Sequence, residues 1–188
     1  VKVLPNLVED MFFTRPRPRL KGERMRVLWT GGTGHGPDLE QIIPVVHKTA
    51  HRYEWIFMGR VPDTLSGIVR YIPWGEHNRY MPNLIDLGAH VGLAPLCDNL
   101  FNRCKSHLKI LEYGAAGLAT VCTNIEPYKN SPGILIQKPT ARRWENALSD
   151  LEDDNFRLDL AQKCQDYAWK YSISKNTTLL CSKFDTGK

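Results

Sequence analysis

After Lys21 the chain alternates short runs of apolar residues with stretches of helical spacing, and that alternation limits the folds open to it. Strands are expected over Met25–Thr30, Glu54–Met58, Ile68–Ile72, His90–Ala94, Ala119–Thr123 and Gly133–Ile136. The spacing predicts helices over Asp38–Thr49, with Leu39, Ile42, Ile43 and Val46 on one face, and over Asn78–Leu87, Lys105–Ala116, Ala141–Leu151 and Phe156–Tyr171. Several of the strands are apolar throughout, and such strands need cover on both faces. The expected fold is therefore α/β: a Rossmann-like, doubly wound parallel sheet of about six strands with helices on both faces. Residues 1–24 read as a linker or arm, 25–171 as the sheet domain and 172–188 as a tail.

A chain of 188 residues with 42% hydrophobic residues buries a core of ordinary size, enough for one such domain. No apolar run approaches the ~20 residues that cross a bilayer, and the first residues lack the charged and apolar regions of a signal peptide. Cys97, Cys104, Cys122, Cys164 and Cys181 form an odd set without a C-x-x-C pair, which argues against a disulfide framework and a zinc site. A reducing, cytoplasmic setting is expected. The net charge of +5 is crowded into Arg15, Arg17, Arg19, Lys21, Arg24 and Arg26. No aromatic residue interleaves those charges to stack on bases, so the segment reads as a solvated Pro-rich linker and no nucleic-acid partner is expected.

Sheets of this kind bind ligands beyond the carboxyl ends of their strands. Here the first strand runs into Gly31-Gly32-Thr33-Gly34-His35-Gly36-Pro37-Asp38. A dinucleotide fingerprint G-x-G-x-x-G begun at Gly32 needs its third glycine at position 37, which is Pro37. The reductase spacing begun at Thr30 fails at the same residue. Tyr171 and Lys175 have the Tyr-x-x-x-Lys spacing of short-chain reductases, but they lie near the chain end. The second strand also leads into Gly59-Arg60 without an acid for an adenosine ribose, so an NAD(P)-dependent reductase is the weakest reading. What remains is a glycine turn ahead of a helix start, with Pro37 suited to the first turn and Asp38 to the dipole, an arrangement that suits a phosphate or diphosphate. A turn that needs glycine only for its backbone is the plain alternative.

The segment from Asn99 to Thr123 carries more chemistry. With a helix begun near Lys105, the residues Lys105, Lys109 and Glu112 follow i, i+4, i+7 spacing on one face, and Leu108, Leu111 and Ala115 point toward the sheet. Such a stripe serves as surface ion pairs worth roughly 0.3 kcal/mol. Alternatively its lysines neutralise a diphosphate while its carboxylate accepts hydrogen bonds from a ribose's vicinal hydroxyls. Gly114 and Gly117 let the helix pack closely and then stop.

In chain order, Val3-Leu-Pro-Asn6, Thr33-Gly-His-Gly-Pro-Asp-Leu39, Ile56-Phe-Met-Gly59, Val91-Gly-Leu-Ala-Pro-Leu96, Phe101-Asn102-x-x-Lys105-Ser106-x-x-Lys109-x-x-Glu112-Tyr-Gly-Ala-x-Gly117 and Trp144-x-x-Ala147-Leu148 carry a family resemblance. They resemble the C-terminal, nucleotide-sugar-binding domain of the retaining family 4 (group 1) glycosyltransferases, one half of a GT-B fold. The likeness covers essentially the whole chain, and Lys-x-x-Glu-Tyr-x-Ala-x-Gly is its specific part. It implies that Glu112 holds the ribose and that Lys109 and Lys105 face the diphosphate or sugar, with Asn102 and Ser106 in the same motif. It further implies that Gly32, Thr33, Gly34 and His35 close over the phosphates and that Pro73 and Trp74 meet the nucleobase. Lys109 and Glu112 are the residues it assigns to catalysis. The chain departs from the family at Cys104, where many members carry the first acid of a Glu-x7-Glu pair, and near Thr33 and His35, where an Arg and a Lys usually follow the first strand.

The implied reaction is retaining transfer of a sugar from a UDP-, GDP- or dTDP-sugar, with cationic side chains rather than a metal stabilising the leaving diphosphate. No cofactor is implied beyond that donor. The acceptor, a glycan or a lipid-linked molecule, belongs to a separate N-terminal domain. Because the chain begins at what resembles the interdomain segment, it is expected to bind the donor and to transfer little alone. No transmembrane segment is expected, and peripheral membrane contact stays open. The alternative is a non-catalytic nucleotide-sugar-binding or assembly module of the same fold, which the absent first carboxylate favours.

Overall fold

The computed structural model describes residues 4–184, so Val3 and the last four residues of the tail lie outside the described residues. Six strands, β1 (Arg26–Gly31), β2 (Glu54–Gly59), β3 (Arg70–Ile72), β4 (Val91–Ala94), β5 (Ala119–Thr123) and β6 (Ile134–Ile136), form one sheet. Its order is β3-β2-β1-β4-β5-β6 and every neighbouring pair is parallel. The direction of winding reverses between β1 and β4, which opens a crevice at the carboxyl ends of those strands. The helices are α1 (Gly36–Leu39), α2 (Ile43–Thr49), α3 (Tyr80–Asp86), α4 (Leu100–Arg103), α5 (Leu108–Ala115), α6 (Ala141–Asp150), α7 (Asp154–Trp169) and α8 (Ile173–Phe184).

Side chains alternate along each strand, so successive residues supply different cores. Val27, Trp29, Trp55, Phe57, Val91 and Leu93 meet Val46 of α2, Trp144 and Leu148 of α6 and Leu160 of α7 on one face. Leu28, Ile56, Met58 and Ala94 meet Met81 and Leu84 of α3 and Ile110, Leu111 and Tyr113 of α5 on the other. Both faces of the central strands are covered, which is why β2 and β4 are almost wholly apolar, whereas the edge strand β3 leaves Arg70 and Tyr71 exposed.

The structure corrects three local expectations. The helix expected over Asp38–Thr49 is two pieces, α1 and α2, because Pro44 lacks the N–H that a continuous helix requires and is accommodated in the first turn of α2. The helix expected from Lys105 begins only at Leu108. Ser106 Oγ accepts from the Leu108 N–H at 3.4 Å, a local bond that competes with helix. Lys105 is therefore not on the face of α5, and Leu108 is half-buried rather than packed on the sheet. The basic arm is not a solvated linker: the Thr14 N–H donates to the Ala115 carbonyl at 2.9 Å, Arg17 pairs with Glu23 at 2.9 Å and Arg19 with Asp154 at 2.7 Å. The tail joins the arm where Val8 and Ser172 form a parallel bridge, and then continues as α8. Among the described residues no helix is long and apolar enough to cross a membrane.

Candidate functional site

At its carboxyl end β1 gives way to Gly32 and a single 3-10 turn, Thr33–His35. Beside it, Gly59 ends β2 at φ +107°, and a Cβ there would stand 2.5 Å from the Gly31 carbonyl and 2.8 Å from the Trp74 ring. Only glycine lets the Trp74 indole lie that close across the ends of β1 and β2. Trp74 is half exposed, and its ring centroid lies 5.6 Å from that of Tyr80 at the start of α3. From the other side α5 brings Lys109 and Glu112, one turn apart. These parts enclose a cavity of about 410 Å³ lined by Gly31, Gly32, His35, Trp74, Lys109 and Glu112 together with Thr30, Met58, Gly75, Glu76, His77 and Tyr80.

The polar groups form a connected set. Tyr80 OH donates to Glu112 Oε2 at 2.9 Å and lies 3.1 Å from Thr30 Oγ1. The Thr30 N–H donates to Tyr113 OH at 3.1 Å, and Tyr113 OH donates to the Leu93 carbonyl at 3.2 Å. Lys109 Nζ donates to the Thr30 carbonyl at 2.6 Å and stands 5.2 Å from the Trp29 ring centroid. Burial pushes the Glu112 carboxyl up to about 7, against the opposing pull of the Tyr80 hydrogen bond and the Lys109 charge. Burial also lowers the Lys109 ammonium to about 8, with Lys105 adding to the effect and Glu112 and Asp38 resisting it. Burial and the neighbouring carboxylate raise Tyr80, so its hydroxyl remains a donor.

Of the residues singled out from the sequence, Gly32, His35, Trp74, Lys109 and Glu112 meet at this cavity. Thr33 and Gly34 are exposed on the turn, where the Thr33 carbonyl accepts from Arg60 Nη1 at 3.0 Å. Pro73 is exposed beside Trp74 and does not line the cavity. Asn102 is buried behind it and donates from Nδ2 to Asp38 Oδ1 at 2.8 Å and to the Cys97 carbonyl at 2.9 Å. Lys105 turns the same way, with Nζ 3.8 Å from Asp38 Oδ2. Ser106 is exposed and accepts from Asn6 Nδ2 at 2.6 Å. The helix whose N-terminal dipole was to face a phosphate is the four-residue α1, too short for a substantial macrodipole.

Tyr80 was missed from the sequence, because nothing in the spacing of α3 separates a tyrosine that caps a carboxylate from one that fills a core. Glu76 and His77 gave no signal beyond following the Trp74 break. Among the described residues no group of three or more His, Cys, Asp or Glu could hold a metal ion.

No protein-family model matches the sequence, and no curated protein matches it. Solved structures match its fold. A glycosyltransferase from Rickettsia africae superposes with a TM-score of 0.71 at 10% identity, over 96% of this chain and 55% of that one. Anabaena HepE, solved with UDP and glucose, gives 0.68 at 10% identity over 87% and 49%. The trehalose-6-phosphate synthase OtsA gives 0.65 at 11% identity over 88% and 44%. The chain thus spans about half the length of these structures or somewhat less. At such identities the likeness is one of architecture, and the architecture is the Rossmann-like α/β fold of one half of the GT-B glycosyltransferases.

Proposed function

We propose that this chain is the nucleotide-diphospho-sugar-binding half of a retaining, metal-independent glycosyltransferase of the family 4 type, whose acceptor, a glycan or a lipid-linked molecule, is held by a separate domain. The observation that carries the reading is that Glu112 and the Gly31–Gly32 turn share one cavity at the carboxyl ends of the strands, although some eighty residues separate them. Glu112 supplies the acceptor oxygens that a ribose diol needs, and Lys109 supplies a cation beside the turn for the diphosphate. Trp74 and the turn around it offer a face to the base. When the sugar–phosphate bond breaks, negative charge grows on the leaving diphosphate, and a fixed ammonium in a partly desolvated site stabilises that charge more than water does.

UDP, GDP, dTDP and ADP titrated into the protein by calorimetry test the reading. One of them is expected to bind in the micromolar range, and Glu112→Ala to abolish that binding. A protein that binds none of the four is instead a scaffold of the same fold, the second reading, which the exposed Cys104 in place of a first carboxylate favours. Incubated with donor and acceptor, this chain alone is expected to show little or no transfer, and full turnover would refute the assignment of the acceptor to another domain. Trp74→Ala is expected to weaken nucleotide binding by roughly fivefold or more, since base–aromatic stacking is worth about 1–3 kcal/mol. Unchanged affinity would remove Trp74 from the site.

A further inference from the structure

Asp38 is 2% exposed, and its two oxygens gather partners from four segments of chain. Oδ2 lies 2.8 Å from His35 Nδ1 in the glycine turn. Oδ1 accepts from the Cys97 N–H at 2.7 Å, beyond β4, and from Asn102 Nδ2 at 2.8 Å, in α4. Lys105 Nζ approaches Oδ2 to 3.8 Å from the segment ahead of α5. Burial acts to raise this carboxyl, but the hydrogen bonds from His35, Cys97 and Asn102 and the charge of Lys105 outweigh it and hold Asp38 below the usual carboxylate range. It is a buried anion that does not line the cavity. His35 does line it.

An ionised carboxylate only accepts hydrogen bonds, so the contact with Asp38 requires the proton on His35 Nδ1 and leaves Nε2 as the ring's other polar atom. We propose that Asp38 is a positioning residue: it fixes the orientation and tautomer of His35 so that Nε2 meets the diphosphate of a bound nucleotide. Through Cys97, Asn102 and Lys105 it also ties the glycine turn to the chain between β4 and α5. This rests on the nucleotide reading above. With Nδ1–H held by Asp38, the Nε2 edge of the ring is the one left toward the cavity, and in an imidazolium both nitrogens donate, Nδ1 to Asp38 and Nε2 to a phosphate oxygen. The charged and titratable groups around the ring are Asp38 and Lys105 behind it and, lining the same cavity, Lys109, Glu112, Tyr80, Glu76 and His77, with Trp29 packed edge-on at 6.1 Å.

The test compares whichever of UDP, GDP, dTDP and ADP the wild-type protein binds best with the matching nucleoside. His35→Gln and Asp38→Asn are each expected to weaken the nucleoside diphosphate about tenfold, the scale of one charge-assisted hydrogen bond, and to leave the nucleoside unchanged. The double variant should lose little more than either single one. Equal losses for diphosphate and nucleoside would overturn the proposal. Should Asp38→Asn fail to fold, His35→Gln and the long-range ¹⁵N–¹H spectrum of the wild-type ring decide it: a ligand-free neutral ring protonated on Nε2 refutes the positioning role. Wild-type protein that binds none of the nucleotides overturns both readings, whereas binding that survives both substitutions overturns this one alone.

Discussion

Glu112→Gln is expected to make the ligand-free protein more stable while removing its affinity for nucleotide. The carboxyl is raised from 4.5 to about 7 in the fold, so the folded protein holds a proton there that the unfolded chain has released. Wild-type stability therefore falls as pH rises from 4.5 to 7, and the whole penalty is present above 7. Glutamine keeps the shape and still accepts from Tyr80, without the charge. Each pKa unit is worth about 1.4 kcal/mol, and the shift is already net of the attraction to Lys109, so the variant should be more stable by about 3 kcal/mol above pH 7. The difference should vanish toward pH 4.5. Denaturant melts of both proteins across that range, with and without nucleotide, check it. A residue with only a structural role would give the opposite result, a variant less stable at every pH. The pairing also predicts a narrow optimum for binding. Affinity should rise as Glu112 ionises near pH 7 and fall as Lys109 loses its proton near pH 8.

Gly114→Ala is expected to cost about 3 kcal/mol, at the upper end for overpacking a tight core. A Cβ at Gly114 would stand 2.4 Å from the Cys164 carbonyl and 3.0 Å from Ala168 Cβ on α7. Backbone cannot step aside as a flexible side chain does, so α5 must lift from α7 and carry Lys109 and Glu112 with it. For a domain of this size the melting temperature should fall by roughly 6–12 °C, and nucleotide affinity should fall too. Gly34→Ala is the control, because a Cβ there meets nothing within 4 Å. It should melt like the wild type, and a wild-type melt for Gly114→Ala would refute the close packing of the two helices.

The strands could be read from the chain because a buried parallel strand leaves a short, unbroken apolar run, and β1, β2 and β5 fall within a residue of where that pattern put them. The placing of α1, α2 and α5 was harder: Pro44 splits one apolar stripe, and the Ser106 hydroxyl displaces the start of another. The Lys109–Glu112 pair was legible because residues three apart on a helix share a face whatever surrounds them. Lys105 was misplaced because the same rule was applied to a residue outside the helix.

What the sequence by itself determined is the set of elements, the need for cover on both sides of the sheet, and the placing of a lysine and an acid on one helix after a glycine turn. Those properties depend on neighbours within a few residues. Only the tertiary structure decided that Tyr80 meets Glu112 from 32 positions away and that Asn102 and Lys105 turn to Asp38 instead of the cavity. Such contacts depend on how crossing connections bring distant strand ends together, and local periodicity carries no record of that.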